Sequence, residues 1–246
     1  MTNEPTSSIR ITFRIPGQWR HPKELVEQLP KGYRLTPEAL ILPNGTELEY
    51  EPRPADDQFA QIFRNACRQP ATAEELAVID NYTVQFLLSG PGGSMDSALA
   101  MMRAAAAIVQ AGGAGVFIDN STLAHGGTNW TEMTEDGGPD AISFAYVAII
   151  QGRDEVRTMG MHVLGLREVV MKRADADADE FNIVEVIRYL ARGDKAVEDG
   201  HLLADLDGPR FKCVAQAAKN AGLPAPMQNP FGQFRLVSMR DIAETN

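Results

Sequence analysis

Cysteine is scarce in this chain of 246 residues. There are two, Cys67 and Cys213, far apart and in no Cys-x-x-Cys pair. That excludes a zinc ribbon or a thioredoxin-type redox pair and fits a reducing compartment. Histidine is scarce as well: His21, His125, His162 and His201 fall at no i,i+4 or His-Glu-x-x-His spacing, so no helix-borne zinc site is predicted. No run reaches the roughly 18 apolar residues that a membrane helix needs. The opening MTNEPTSSIR has no apolar stretch of the kind a signal peptide carries, and the chain reads as cytoplasmic, with no membrane partner. No Lys/Arg cluster exceeds two residues and the formal charge is -10. The long-range field repels polyanions, so nucleic acid is not expected as a partner.

What is present is ordinary for a folded protein: 44% apolar and 23% charged residues, enough to bury a core without staples. The length leans toward two domains at ~150 residues each, and the elements fall into two groups, residues 1–80 and 81–246. In the first, IRITFRI (Ile9 to Ile15) alternates apolar and polar side chains, the period of a strand with one buried face. A short helix follows at His21 to Leu29. ALILPNGTELEYE reads as a hairpin turning at Asn44-Gly45, and the Pro-rich EPRPADD as a connector. Helices are predicted at Asp57 to Arg68 and Thr72 to Asn81, the second opened by a Thr72/Glu75 capping box.

The second group is more apolar. YTVQFLLS (Tyr82 to Ser89) is a strand and GPGG a break. Ser94 to Ala111 is the clearest helix, rich in alanine and stopped by Gly112-Gly113. GVFID is a strand, and DNSTLAHGGTNW (Asp119 to Trp130) a long polar loop. ISFAYVAII (Ile142 to Ile150), apolar on both faces, reads as a central strand that turns through QGRDE into an antiparallel neighbour, VRTMGMHVLG. REVVM, HLLADL, FKCVA and FRLVSM supply further strands, and Glu180 to Arg192 a helix. The expected class is α+β: a two-layer sandwich with helices on one face of a mostly antiparallel sheet, preceded by a smaller α+β N-terminal region.

Three motifs come close to a known chemistry and fail in detail. Tyr82 to Asp119 runs strand, glycine turn, helix, strand, acid, as a dinucleotide-binding unit begins. Gly90 and Gly92 fit Gly-x-Gly-x-x-Gly, but Met95 stands at the third glycine position, and GPGGS lacks the lysine of a P-loop. ADADADE (Ala174 to Glu180) places Asp175, Asp177 and Asp179 at positions 1, 3 and 5 of a calcium loop, but Glu180 replaces its glycine and Val186 its bidentate glutamate; acids ahead of a helix serve the macrodipole instead. No cofactor and no metal are expected. Asp119, Ser121 and His125 crowd one loop, whereas triads converge from separate elements, and Ser121 stands in no Gly-x-Ser-x-Gly elbow. These side chains are also what loops use to satisfy their own backbone. Trp130 can plug that loop onto the core. His162, placed on a strand, reads as a packed, hydrogen-bonded residue.

TMGMHVLGLREVV (Thr158 to Val170) carries Thr158, Gly160, Met161, Gly165 and Glu168 at the spacing of a motif in bacterial domains of unknown function. Together with AGGAGVF it gives residues 82–215 a resemblance to that family. The resemblance implies no chemistry, and no catalytic residue is assigned. The expected function is a non-catalytic binding or protein-interaction module of immunity or regulatory type, with Asp119, Ser121, His125, Trp130 and His162 as candidate binding residues and a protein as candidate partner. The alternative is a hydrolase-like or nucleotide-binding enzyme. It would hold an anion at the Gly90–Ser94 turn and use His125 as base in the facing Asp119–Trp130 loop.

Overall fold

In the computed structural model, residues 9–176, 183–204 and 210–240 are described. The fold is α+β, built on two sheets. Strand β1 (Arg10–Gly17) buries Ile11, Phe13 and Ile15 completely on one face, as the alternation predicts. It lies inside a seven-stranded antiparallel sheet, between β5 (Val84–Pro91) and β6 (Gly115–Ile118). Beyond β5 come β4 (Glu47–Pro54), β3 (Leu40–Ile41) and β2 (Arg34–Leu35); beyond β6 comes β7 (Leu123–Gly126). The division at residue 80 does not coincide with a break in this sheet, because β1 and β4 both pair with β5.

The β3–β4 hairpin turns at Gly45, whose φ of 84° is open to glycine at no cost. The Pro-rich stretch read as a connector is the end of β4. Pro52 and Pro54 pair with Phe86 and Val84, and β3 reaches only Glu47 and Leu48. The missing N–H groups can therefore lie along an uncovered edge, where proline is tolerated.

Helix α1 (Pro22–Gln28) follows β1. Helices α2 (Phe59–Ala66) and α3 (Ala73–Asp80) cover one face of the sheet, packing Phe59, Phe63 and Ile79 on Phe117. The predicted capping box at Thr72 is formed. The opposite face carries α4 (Met95–Gln110), capped by Ser94, whose hydroxyl accepts from the Ser97 N–H at 3.1 Å. Ala98, Met102 and Ala105 are fully buried there. Gly112 ends the helix at a φ of 105°.

Two readings are corrected after β6. Asp119 to Trp130 is not a long loop: four residues turn the chain into β7, and α5 (Gly127–Asp136) begins directly after it. Ile142 to Ile150 is not a central strand. Pro139 opens helix α6 (Pro139–Tyr146), and only β8 (Ala148–Gln151) is extended, at the edge of the second sheet. Ile142, Ser143, Ala145 and Tyr146 are all buried, and a helix buried nearly all round shows no period to distinguish it from a buried strand.

The second sheet runs β8, β9 (Glu155–Met159), β10 (Glu168–Lys172), β13 (Gln233–Ser238), β12 (Arg210–Gln216) and β11 (Leu202–Ala204), antiparallel except between β10 and β13. A short helix, α7 (Arg173–Ala176), follows β10. Helix α8 (Ile183–Arg192) presents Ile183, Val186, Ile187 and Leu190 to the core, the i, i+3, i+4, i+7 face. Both sheets share one apolar core. Asp177, Asp179 and Glu180 of the calcium-like run lie outside the described residues; among the described ones no cluster of acids, histidines and cysteines could hold a metal. No described helix is long and apolar enough to cross a membrane.

Candidate functional site

A cleft of about 510 Å³ opens between the two sheets. The end of α2 and the β6–β7 turn form one wall, and α6, β8 and α8 the other. Its lining is largely apolar, with Leu123, Phe144, Val147, Ile149, Ile150 and Ile187. Two polar groups stand out. The guanidinium of Arg68, just past α2, lies over the Phe144 ring at 4.6 Å. Its Nη1 donates to the Phe144 carbonyl at 2.7 Å and its Nη2 to the Val147 carbonyl. These are last-turn carbonyls of α6, which a cation suits. Among the described residues no carboxylate pairs with Arg68, and burial draws its pKa down. Asp140, the acid at the rim, is already held by Arg192 (2.8 Å) and faces Arg188.

The second group is Ser121. It is wholly buried and its hydroxyl has no partner among the described residues. Beside it Thr122 adopts a φ of 54°, positive at no other described residue except glycines. A β-branched residue there is strained by ~1–3 kcal/mol. The turn is imposed from both sides, since the Thr122 N–H reaches back to the Ile118 carbonyl (2.8 Å) and Leu123 must pair with Ile118.

The sequence-predicted residues do not converge on this cleft; only Ser121 lines it. Asp119 is paired with Arg14 at 2.6 Å. His125 is fully buried on β7, beside the Trp130 and Phe144 rings. Its Nε2–H donates to the Ala145 carbonyl at 2.9 Å, and Nδ1 has no partner among the described residues. Burial, aided by the Arg68 charge, lowers its pKa to about 4. An imidazole so enclosed has no route to a substrate proton, which removes it as a general base. Trp130 is fully buried and its indole N–H donates to the Met102 carbonyl at 3.1 Å. It anchors α5 to α4 and presents no surface.

His162 stands on a short 3₁₀ turn, Met161 to Leu164, not on a strand. Gly160 and Gly165, at φ of 105° and 80°, set that turn off from its neighbours. His162 Nε2–H donates to the Pro226 carbonyl at 2.8 Å, and Nδ1 faces Glu168 at 3.6 Å. The motif around it is a structural knot. Glu168 accepts from the Thr158 hydroxyl (2.6 Å), the Gly160 N–H (3.2 Å) and the Asn229 amide (3.0 Å). A Cβ on Gly160 would collide with the Tyr146 carbonyl and stand 3.0 Å from the Ser121 Cβ. The Asn120 amide also donates to the Pro226 carbonyl, at 2.8 Å, so one carbonyl ties the two sheets together.

In the glycine turn at Gly90–Ser94 two glycine N–H groups are taken up inside the chain. The Gly92 and Gly93 N–H groups donate to the Ile9 and Val163 carbonyls, each at 2.8 Å. A Cβ on Gly92 would meet Ile9 and Ile11 at 3.1 and 3.0 Å. The glycines serve close packing inside the protein. β5 and β6 also have the antiparallel β1 between them, where a dinucleotide fold has adjacent parallel strands. Sequence reasoning missed Arg68, Cys67 and Phe144 of the cleft. Cys67 is half-buried and burial pushes its thiol pKa up, so it is no activated nucleophile.

No protein-family model, curated protein or solved structure matches the chain.

Proposed function

We propose that this chain is a non-catalytic binding module of regulatory kind, with the cleft between α2, α6, β8 and α8 as its ligand site. The observation that carries this reading is a cleft of about 510 Å³, within the range of small-molecule sites, with apolar walls and two polar groups lacking full partners. A strained residue at its wall, Thr122, adds support, since such strain concentrates at binding sites. The side chains that would make it a hydrolase are tied up one by one. Neither buried histidine has its hydrogen bond to Ser121, and a nucleophile needs a base in hydrogen-bond reach.

A small ligand is favoured over a broad protein interface. The large exposed apolar side chains among the described residues are Val26, Ile62, Leu202 and Phe231, on four separate segments; an interface core needs a contiguous patch. We place the protein in the cytoplasm, in keeping with its two free thiols.

The test is a thermal-shift screen of small molecules on the parent and on Ile150→Trp, which fills the cleft from a half-buried lining position. A true ligand at a hundred times its Kd stabilises by about 2.7 kcal/mol, and that gain should vanish in the variant. An ester hydrolysis lost on Ser121→Ala would overturn the reading.

A further inference from the structure

Arg68 is the one cleft-lining cation not answered by an acid among the described residues, for Arg188 pairs with Glu185 at 2.6 Å and faces Asp140. A guanidinium has five N–H donors. Here Nη1 and Nη2 give one hydrogen bond each to carbonyls of Phe144 and Val147, so three donors remain. Arg68 is half-buried, and an anion that enters beside it replaces water at those donors with a charge-assisted hydrogen bond. Ser121, fully buried in the same lining, offers a hydroxyl that nothing in the described chain engages. A hydroxyl donates one hydrogen bond, and the oxygen of an anionic head group is a suitable acceptor.

The remaining lining decides what the anion is attached to. Leu123, Phe144, Ile149, Ile150 and Ile187 give the cleft apolar walls, and the Thr122 and Ser143 hydroxyls among them already donate to the Ser121 and Asp140 carbonyls, which leaves little for a sugar to bind. A single free cation also fits one negative charge and not several. Multiply charged phosphates are commonly met by several cations, and no second free cation is found among the described lining residues.

We infer that the cleft takes a monoanion carried on an apolar body, of the class of medium-chain alkyl or aryl carboxylates, with the head group at Arg68 and Ser121. The inference rests on the reading of the cleft as a ligand site and names its ligand class. Charge-assisted pairing of a planar carboxylate with a guanidinium fork supplies the head-group selectivity. Desolvation of the chain along the Phe144 and Ile150 side supplies the affinity.

The experiment is isothermal titration of the whole chain with sodium octanoate and with octanamide, which match in length and differ in charge. The expected result is octanoate binding at least ten times tighter than octanamide. Arg68→Met should bring octanoate down to the amide's affinity and leave the amide unchanged, and Ser121→Ala should weaken octanoate by a few-fold. Arg68 also closes the end of α6. If Arg68→Met does not fold, Arg68→Lys serves instead: it keeps the charge, loses the fork, and should lower the octanoate preference while leaving octanamide where it was. Equal binding of octanoate and octanamide by the parent would overturn the inference and leave the cleft a binding site. If neither binds, or if both bind Ile150→Trp as they bind the parent, the inference and the ligand-site reading fall together.

Discussion

Trp130→Ala removes the side chain on which the packing of the core depends most. Trp130 is the largest wholly buried side chain among the described residues. Its indole meets Phe13 edge-on at 5.3 Å and Tyr146 at 6.2 Å, and lies 5.9 Å from the His125 ring. Truncating a buried tryptophan costs ~3–5 kcal/mol through lost transfer energy and the cavity left behind. Aromatic pairs add ~0.5–1.5 kcal/mol each beyond their buried area. Because those rings come from β1, α6 and β7, they are fixed by separate elements and cannot close the gap. The upper end, about 5 kcal/mol, is therefore expected. In a chain of this length each kcal/mol moves the Tm by ~2–4 °C, so the drop should be about 10–20 °C. Trp130→Phe retains most of the ring and loses the bond to the Met102 carbonyl, worth about 1 kcal/mol. Far-UV circular dichroism melts of the three proteins measure this without relying on tryptophan emission. A Trp130→Ala protein melting within about 3 °C of the parent would refute the packing, as would a Phe variant no more stable than the Ala one.

Three further outcomes are expected. His125 is held neutral by burial, with its pKa drawn from 6.5 to about 4. The unfolded chain then binds this proton more readily than the folded one, so stability is full above pH 6.5 and is lost as pH falls toward 4, by about 3 kcal/mol at ~1.4 kcal/mol per unit; urea melts of His125→Phe across that window should show a shallower decline than the parent. Gly160→Ala places a methyl on the Tyr146 carbonyl at a φ of 105° and should lower stability by at least about 2 kcal/mol in the same assay. Glu168→Gln puts an amide donor among the hydroxyl, N–H and amide donors that Glu168 now accepts from; a loss of ~1–3 kcal/mol is expected, and an unchanged melting midpoint would show that the knot is not strained by the exchange.

The sequence disclosed the elements whose local signal matches their surroundings. β1 alternates because one face meets the core and the other a wetter side, and α4 and α3 start at side chains that cap their own backbone. What stayed hidden is set by distant partners. α6 looks like a strand because the core surrounds it, and nothing local says which sheet β8 will join. The cleft was barely legible. Ser121 is among the candidate binding residues of the sequence, and of those five it alone lines the cleft. Arg68 became significant only when its guanidinium met carbonyls 76 and 79 residues further on. Thr158, Gly160 and Glu168 meet through hydrogen bonds, with Gly160 packed under Ser121, and nothing in their spacing along the chain says so.

The place of β1 in its sheet has a consequence during synthesis. It leaves the ribosome before either neighbour: Thr12 meets Ser89, 77 residues later, and Arg14 meets Asp119, 105 residues later. At ~5–20 residues per second the nascent strand waits about 5 to 20 s for its second partner. Until β5 is made, Ile11, Phe13 and Ile15 have no sheet to enter and both backbone edges are open to other chains; from then until β6 follows, one edge stays open. Closing loops of that length before any pairing is gained also makes the folding step itself slow. A release of residues 1–80 as a separate fragment would leave β1 in that condition permanently, so the fragment should be taken up by chaperones or aggregate. For this chain the sheet can be completed only when the β6–β7 turn, which carries Ser121 and Thr122 into the cleft, has itself been made.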